Sequence, residues 1–246
     1  MRRKVIFENC AGSVASCIAA ERGGAGRIEL CAALTEGGTT PSYGTVKIAK
    51  QMVAIPIFPI IRPRSGDFLY REVELLTMEE EIRSLVDLGA DGFATGVLNE
   101  EGELDMEANR RLIEAAQGRP VTLHRAIDRT KYLLKAVDDA IALGFARILT
   151  SGGMPTAIEG AHMIAEMVRH ADGRIIIMAG SGVRPDNAKW LIEKTGVSEL
   201  HGTLQSTTTS LMKYKQANIG GDTVTVSEFD HHTTDEDKIR RLIESL

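Results

Sequence analysis

The stretch Val5-Ile6-Phe7-Glu8-Asn9-Cys10 is an apolar run of strand length that ends in polar and reactive residues. A segment of helical length follows it, and the same arrangement recurs along the chain. The further runs end at Cys31, Arg62, Thr95, Arg125, Ser151, Gly180 and His201. Strands that alternate with helical segments predict parallel pairing through crossover connections. Eight such units in 246 residues predict a single TIM (β/α)8 barrel domain with its functional residues at the carboxyl ends of the strands.

Helix signals lie between the predicted strands. Glycine, which supplies the left-handed cap of a helix, recurs in Arg22-Gly23-Gly24, Leu88-Gly89 and Leu143-Gly144. An open doubly wound sheet also alternates strand and helix, but no nucleotide-type glycine fingerprint follows the first strand, which favours the barrel. Further helices are predicted over 79–88, from Thr156 and near Pro185.

The last part of the chain departs from the repeating pattern. Residues from about 204 to 222 are rich in Thr, Ser and Gly and are predicted to be irregular. Thr223-Val224-Thr225-Val226 is interpreted as a short extra strand or an ordered loop. A closing helix is predicted over about 235–246, with Ile239, Leu242 and Ile243 on its inner face. The single domain is expected to span 1–246.

The composition is typical of a soluble globular protein, with 43% hydrophobic and 26% charged residues. A net charge of −5 without a long basic block argues against a nucleic-acid partner. The apolar stretches are far shorter than the roughly 20 residues of a membrane span, and no signal region follows the basic N-terminus. Three cysteines do not make a disulfide framework. We therefore expect a cytoplasmic protein with reduced thiols.

Strand parity groups the charged and sulfur-containing residues of the first three strands. Glu8 and Cys10 share one face of the first strand, and Glu29 and Cys31 share one face of the second. Each carboxylate is expected one layer below its cysteine, and Arg62 is expected to pair with one of these carboxylates. A charge inside a barrel has to be paired. The group is therefore either a structural ion network or part of a substrate site.

The two cysteines at strand ends suggest a metal site. Cys10 and Cys31 end adjacent strands, which lie roughly 5 Å apart. Two thiolates at this separation suit Cu(I), a soft ion that prefers sulfur. The alternative is that both cysteines are small buried residues that pack without reactivity, since no C-x-x-C motif is present. Cys17 falls on the first helix, where packing is expected.

Two histidines are candidates for acid–base catalysis, because imidazole titrates near neutral pH. His124 and Asp128 finish the fifth strand and begin its loop, so we expect the carboxylate to fix the tautomer of the imidazole. His201 ends the eighth strand, which closes the barrel next to the first. The alternative for each histidine is a hydrogen-bonded residue of the barrel. The predicted catalytic residues are Glu8, Arg62, His124, Asp128 and His201.

Glycine-rich turns after the sixth and seventh strands predict an anion pocket. Such turns leave backbone N–H groups free, and a helix beginning near Pro185 adds its positive end. Arginine supplies forked donors that suit phosphate or carboxylate. The alternative is that the glycines only allow tight turns. The residues of the predicted pocket are Arg64, Arg125, Ser151, Gly152, Gly180 and Gly182.

Several segments together resemble the CutC family of copper homeostasis proteins, which have a TIM-barrel fold. They include Glu8-Asn9-Cys10, Arg27-Ile28-Glu29-Leu30-Cys31, Ile61-Arg62-Pro63-Arg64-Ser65-Gly66-Asp67-Phe68 and Leu123-His124-Arg125-Ala126-Ile127-Asp128. The resemblance extends from residue 5 to about 203. It implies a link to copper homeostasis, Cys10 and Cys31 as Cu(I) ligands, and a homodimer.

Two hypotheses of different classes follow. In the first, the protein binds Cu(I) through Cys10 and Cys31 and buffers or delivers copper. In the second, it is an enzyme that acts on a small phosphorylated or carboxylated metabolite at the C-terminal face of the barrel. No strand end carries a Schiff-base lysine, and no motif dictates a reaction.

Overall fold

A computed structural model describes residues 5–214 and 229–246. Its main sheet has eight parallel strands in the order β3-β2-β1-β8-β7-β6-β5-β4. A parallel bridge between Ile60 and Ala94 joins the two ends of this sheet, and the Ile61 N–H donates to the Ala94 carbonyl at 2.8 Å. The predicted TIM barrel is therefore confirmed. The strands are β1 (Ile6–Ala11), β2 (Arg27–Leu30), β3 (Ile57–Pro59), β4 (Phe93–Thr95), β5 (Val121–Leu123), β6 (Arg147–Thr150), β7 (Ile176–Gly180) and β8 (Glu199–Gly202).

Helices surround the barrel. They are α1 (Val14–Gly23), α2 (Tyr43–Met52), α3 (Glu72–Leu88), α4 (Met106–Ala115), α5 (Leu133–Leu143), α6 (Ala161–Ala171), α7 (Ala188–Thr195) and α8 (Glu236–Glu244). In α1 the Ser13 hydroxyl accepts the Ser16 N–H, and Gly24 closes the helix with a left-handed φ of 94°. Within the described chain, no helix is both long and apolar enough to cross a membrane.

Helix α3 begins earlier than predicted, at Glu72 instead of residue 79. The cause is a cap: the Glu74 carboxylate accepts the Arg71 N–H at 2.8 Å, which starts the helix about two turns upstream. Residues 72–88 therefore form one helix.

Helices α6 and α7 begin later than predicted, at Ala161 and Ala188 instead of Thr156 and Pro185. The Ala157 N–H donates to the Ser181 carbonyl at 3.0 Å, which ties residues 156–160 to the turn after β7. This contact fixes the segment, and the regular turns start at Ala161.

The tail differs from its prediction in part. Gln205–Thr209 forms a strand, β9, that pairs antiparallel with β10 (Asp230–Thr234), so the prediction of an irregular segment was wrong there. Polar, β-branched side chains pair across these two strands, as in the 2.9 Å bond between Thr208 and Thr233. The predicted closing helix is present as α8, with Ile239 and Leu242 buried. Residues 215–222 and the segment Thr223–Val226 lie outside the described residues.

Alternate residues of each strand face two different cores. One set packs between the sheet and the helices and is apolar, as shown by Phe7, Ile28 and Ile57, which are at most 1% exposed. The other set faces the barrel interior and contains most of the buried charged residues. The Phe58 ring belongs to this interior set and contacts the position of Gly92, just before β4.

We predict that Gly92→Ala lowers the free energy of unfolding by about 1–3 kcal/mol. A Cβ at this position would lie 2.6 Å from the Pro120 carbonyl oxygen and still closer to the Phe58 ring. Urea unfolding measures the effect. Gly44→Ala in α2 is the matched control, since its Cβ would have no neighbour closer than 4.0 Å. Equal stability of the two variants would contradict the packing described for Phe58.

Candidate functional site

The interior of the barrel holds a group of paired charges. Arg27 donates from Nε to Glu8 and from Nη2 to Glu199. Arg147 Nε lies 3.3 Å from the same Glu199 carboxylate. The Phe58 ring lies 5.3 Å from the Arg27 guanidinium and 5.2 Å from that of Arg147. All four charged groups are buried, so two cations and two carboxylates neutralise one another below the mouth.

His201 connects this charged layer to the residues above it. Its Nδ1 lies 2.9 Å from Glu8 Oε1, and its Nε2 lies 3.5 Å from Glu29 Oε2. Burial opposes ionisation of Glu8, but the hydrogen bond with His201 and the charge of Arg27 outweigh it and lower the pKa of Glu8 to about 2. Glu8 is therefore a carboxylate at neutral pH.

The charge state of His201 follows from its neighbours. Burial would lower the pKa of His201, but the negative groups around it outweigh burial and raise this pKa well above its usual value. Burial, aided by the charge of Cys10, also raises the pKa of Glu29 well above its usual value. The acidic groups that raise the pKa of His201 are Glu29, Cys10 and Glu8, with Glu29 first among them.

Two cysteine thiols meet above this layer. Cys10 Sγ and Cys31 Sγ are 3.6 Å apart, and Cys31 Sγ lies 3.6 Å from Glu29 Oε2. The hydrogen bond from Cys31 lowers the pKa of Cys10 to about 5, whereas the same bond and burial raise the pKa of Cys31. The pair therefore holds one thiolate and one thiol at neutral pH. Ile60 and Ala94 pack against both cysteines, which keeps the sulfurs away from bulk water.

A cavity of about 840 Å³ opens above the thiol pair. Cys10 and His201 form part of its floor, and Arg62 and His124 form part of its wall. The lining contains five Lys or Arg residues and two Asp or Glu residues. The cavity is therefore cationic, although the chain as a whole has a formal charge of −5.

Arg62 does not pair with a carboxylate of the first two strands, so that prediction was wrong. Its Nη1 donates to the carbonyls of Glu36 at 3.1 Å and Gly38 at 2.9 Å, and its Nη2 donates to the Gly66 carbonyl at 2.9 Å. The loop after β2 folds back on itself, with a bridge from residue 32 to residue 39, and thereby brings the carbonyls of Glu36 and Gly38 to Arg62. The Gly66 carbonyl comes from the loop after β3.

His124 is a neutral hydrogen-bond donor. Its Nδ1 accepts the Ala126 N–H at 3.3 Å, so the proton of the neutral ring lies on Nε2. Burial, aided by the nearby charge of Arg62, lowers the pKa of His124 to about 3. Its Nε2 is buried and has no acceptor among the described residues. Since it bonds to Ala126, His124 does not take its tautomer from Asp128, contrary to the prediction.

Asp128 instead fills the turn after β6. Its carboxylate accepts the Thr150 hydroxyl at 2.6 Å and the Ser151 N–H at 3.1 Å, and it pairs with Arg125 at 2.5 Å. The Gly152 N–H donates to the Thr150 hydroxyl at 2.8 Å. The predicted anion turn is therefore wrong for Ser151 and Gly152, because a carboxylate of the chain already occupies it.

The other predicted anion-binding residues divide between two places. Arg64 lies outside the cavity, where it pairs with Glu74 at 2.6 Å and Asp67 at 3.0 Å. Gly180 lies within β7 and does not line the cavity. Gly182, together with Ser181, does line it.

Comparison with known proteins assigns this barrel to a family. A model of the CutC family matches residues 5–206. The chain belongs to the CutC family. A family protein CutC from Parabacteroides distasonis is 46% identical over 242 residues, which cover 98% of this chain and 100% of the relative. The copper homeostasis protein cutC homolog of Homo sapiens is 42% identical over 238 residues, which cover 96% of this chain and 87% of the human protein.

Solved structures agree with this assignment. A crystal structure of a CutC protein from Streptococcus agalactiae is 38% identical, with a TM-score of 0.78 over 81% of this chain and 98% of the other. An aldolase structure that is 17% identical, with a TM-score of 0.59 over 82% of this chain and 90% of the other, shares the barrel fold alone.

In this CutC chain the structure brings together only part of the predicted site. The predicted site residues that line the cavity are Cys10, Arg62, His124, Arg125, Gly182 and His201. Two further predicted residues lie below the floor: Glu8 is hydrogen-bonded to His201, and Cys31 is hydrogen-bonded to Cys10. The predicted residues that do not line the cavity are Arg64, Asp128, Ser151, Gly152 and Gly180.

Sequence reasoning missed three buried charges, Arg27, Arg147 and Glu199. The signal was present, because Arg27 shares strand parity with Glu29, and Glu199 shares it with His201. Each of the three begins its strand, whereas most of the predicted site residues lie at or after strand ends.

We predict that Arg27→Met lowers the free energy of unfolding by about 3–5 kcal/mol, because it leaves two buried carboxylates without their shared partner. Denaturant unfolding at pH 7 measures the loss. The control is Arg110→Met, which removes a pair with Glu107 whose side chains are 51% and 75% exposed and should cost at most about 1 kcal/mol. Similar losses in the two variants would contradict the role given to the buried charges.

We predict that His124 lowers stability in acid. Its folded pKa of about 3 lies below the usual histidine pKa of 6.5, so the unfolded chain binds more protons between these values and stability falls as pH falls through this range. His124→Gln should reduce the slope of the unfolding free energy against pH by up to about 1.4 kcal/mol per pH unit. Urea unfolding from pH 7 to pH 4 gives the slope, with the exposed His232→Gln as control. An unchanged slope would show that His124 is not held neutral.

Proposed function

We propose that the protein acts in copper homeostasis by binding Cu(I) between Cys10 and Cys31. The observation that carries the proposal is the 3.6 Å separation of the two sulfurs, with Cys10 in the floor of an open cavity and Cys31 beneath it. Thiolate sulfur is the ligand type that selects Cu(I). The name of the human relative, a copper homeostasis protein, supports the same process.

The residues around the sulfurs suit a monovalent soft cation. The ligand atoms of Cys10, Glu29 and Cys31 lie within 4.8 Å of one another. Only Cys10 is deprotonated before the metal arrives, so Cu(I) would displace the proton of Cys31. Two thiolates and one Cu(I) then carry a net charge of −1, which the His201 imidazolium balances from below.

We predict that the reduced protein binds one Cu(I) and that Cys10→Ala and Cys31→Ala each weaken this binding at least about a hundredfold, since each removes one of two sulfur ligands. Competition with a Cu(I) chelator under anaerobic conditions measures the affinity.

The control is Cys17→Ala. Cys17 is buried in α1, and burial raises the pKa of its thiol to about 12, so it offers no thiolate. Its removal should leave Cu(I) affinity unchanged. Retained affinity in Cys10→Ala and Cys31→Ala, or loss in Cys17→Ala alone, would contradict the proposed site.

A second candidate function is an enzyme that acts on a small phosphorylated or carboxylated metabolite at the same face of the barrel. The observation that favours it is the cationic lining of an 840 Å³ cavity, a volume in the range of small-molecule sites. In this case the link to copper would be indirect. The homodimer and the cytoplasmic location stay predictions.

A further inference from the structure

The charges of the barrel interior balance at every level except one. Arg27 and Arg147 are matched by Glu8 and Glu199, and the His201 imidazolium is matched by the Cys10 thiolate. Arg62 is 6% exposed, yet its hydrogen bonds go to backbone carbonyls, and it also lies near the neutral hydroxyl of Tyr70. Neutral carbonyls satisfy N–H groups but leave the positive charge uncompensated, and a buried charge without a counter-ion is costly.

Arg62 also keeps an unused donor. Its Nε is buried and finds no acceptor in residues 5–214 or 229–246. Buried polar groups without a partner are rare and call for a specific explanation. Because Arg62 lines the cavity, a ligand there is one such explanation.

His124 presents the same feature beside Arg62. The Ala126 N–H occupies its Nδ1, so Nε2 carries the proton and has no partner in the described chain. Both side chains pack on one ring: the Arg62 guanidinium lies 5.1 Å from the centre of Phe68, and the His124 ring centre lies 4.9 Å from it. Two unpartnered donors, one of them charged, therefore adjoin a single aromatic side chain at the cavity wall.

Two other arginines of the cavity already have carboxylate neighbours. Arg125 pairs with Asp128 at 2.5 Å, and Arg184 lies 3.6 Å from Asp186. Arg62 differs from both in being buried and in facing no carboxylate of the described residues.

We propose that the Arg62–His124 end of the cavity binds the carboxylate group of a small organic acid. Arg62 supplies the counter-charge and its Nε–H, and His124 supplies its Nε2–H. Two donors match the two oxygens of one carboxylate, and one positive charge matches its single negative charge, whereas a phosphate monoester brings more charge and more acceptors. Phe68, half-buried over both groups, is the side chain that the acid displaces to reach the donors.

The inference rests on the second candidate function and names its ligand class, and it is independent of copper. Calorimetric titration of the reduced, copper-free protein at pH 7 tests it with acetate, propionate, succinate and citrate as probes. Inorganic phosphate and the uncharged succinamide are titrated beside them. We expect saturable binding of at least one of the four acids, at least about tenfold tighter than that of phosphate or succinamide.

Variants connect this binding to the residues. Arg62→Met should weaken acid binding at least about tenfold, and the exposed Arg110→Met should leave it unchanged. The Cys10→Ala, Cys31→Ala double variant should still bind the acid. If the copper proposal fails, binding of the acid is still expected. If the carboxylate proposal fails, binding of Cu(I) is still expected.

A measurement on the unaltered protein covers the case in which Arg62→Met does not fold. In protein labelled with ¹⁵N at histidine, the His124 Nε2–H resonance should move with acid concentration, and the exposed His232 should not respond. The proposal is overturned by any of three results: no saturable binding of the four acids, tighter binding of phosphate, or equal binding by Arg62→Met and Arg110→Met.

Discussion

Charges inside a closed barrel have to be neutralised by one another, because water does not reach them. In this protein the requirement is met by Arg27, which bridges Glu8 and Glu199 at the centre of the barrel. Glu8 also accepts from His201, so the pairing at the centre sets the position and the charge of a residue at the floor of the cavity. The imidazolium in turn stabilises the thiolate of Cys10. The reactivity of the floor therefore depends on ion pairs formed one layer below it.

The layers of the barrel differ in which charges and hydrogen-bond donors they leave without a partner. The central layer is neutral and has its ion pairs complete, as expected of a structural network. The thiol pair has a shared proton and a cation beneath it, which suits exchange of that proton for a monovalent metal. The wall at Arg62 and His124 has a charge and two donors without partners in the described chain. The proposed Cu(I) site and the proposed carboxylate site thus adjoin one cavity, and occupation of either would change the electrostatic field at the other.

Strand ends and parity were sufficient to predict the barrel and the adjacency of Cys10 and Cys31, but not the pairing of Glu8 with Arg27 and His201. These features depend on the two-residue alternation of strands, which can be read from the sequence. The partners of Arg62 could not be predicted, since they are carbonyls of a loop whose path depends on tertiary contacts. Asp128 was misassigned for a similar reason. It is close to His124 in sequence, but it lies inside the tight turn Arg125–Arg129, which directs its carboxylate to the end of β6.

Copper coordination by Cys10 and Cys31 is tested most directly by X-ray absorption at the copper K edge of the reduced protein loaded with one equivalent of Cu(I). The structure of the floor predicts a first shell dominated by two sulfur atoms, which is lost in the Cys10→Ala, Cys31→Ala variant and kept in Cys17→Ala. A shell of nitrogen and oxygen atoms, or a sulfur shell that survives removal of both cysteines, would contradict it.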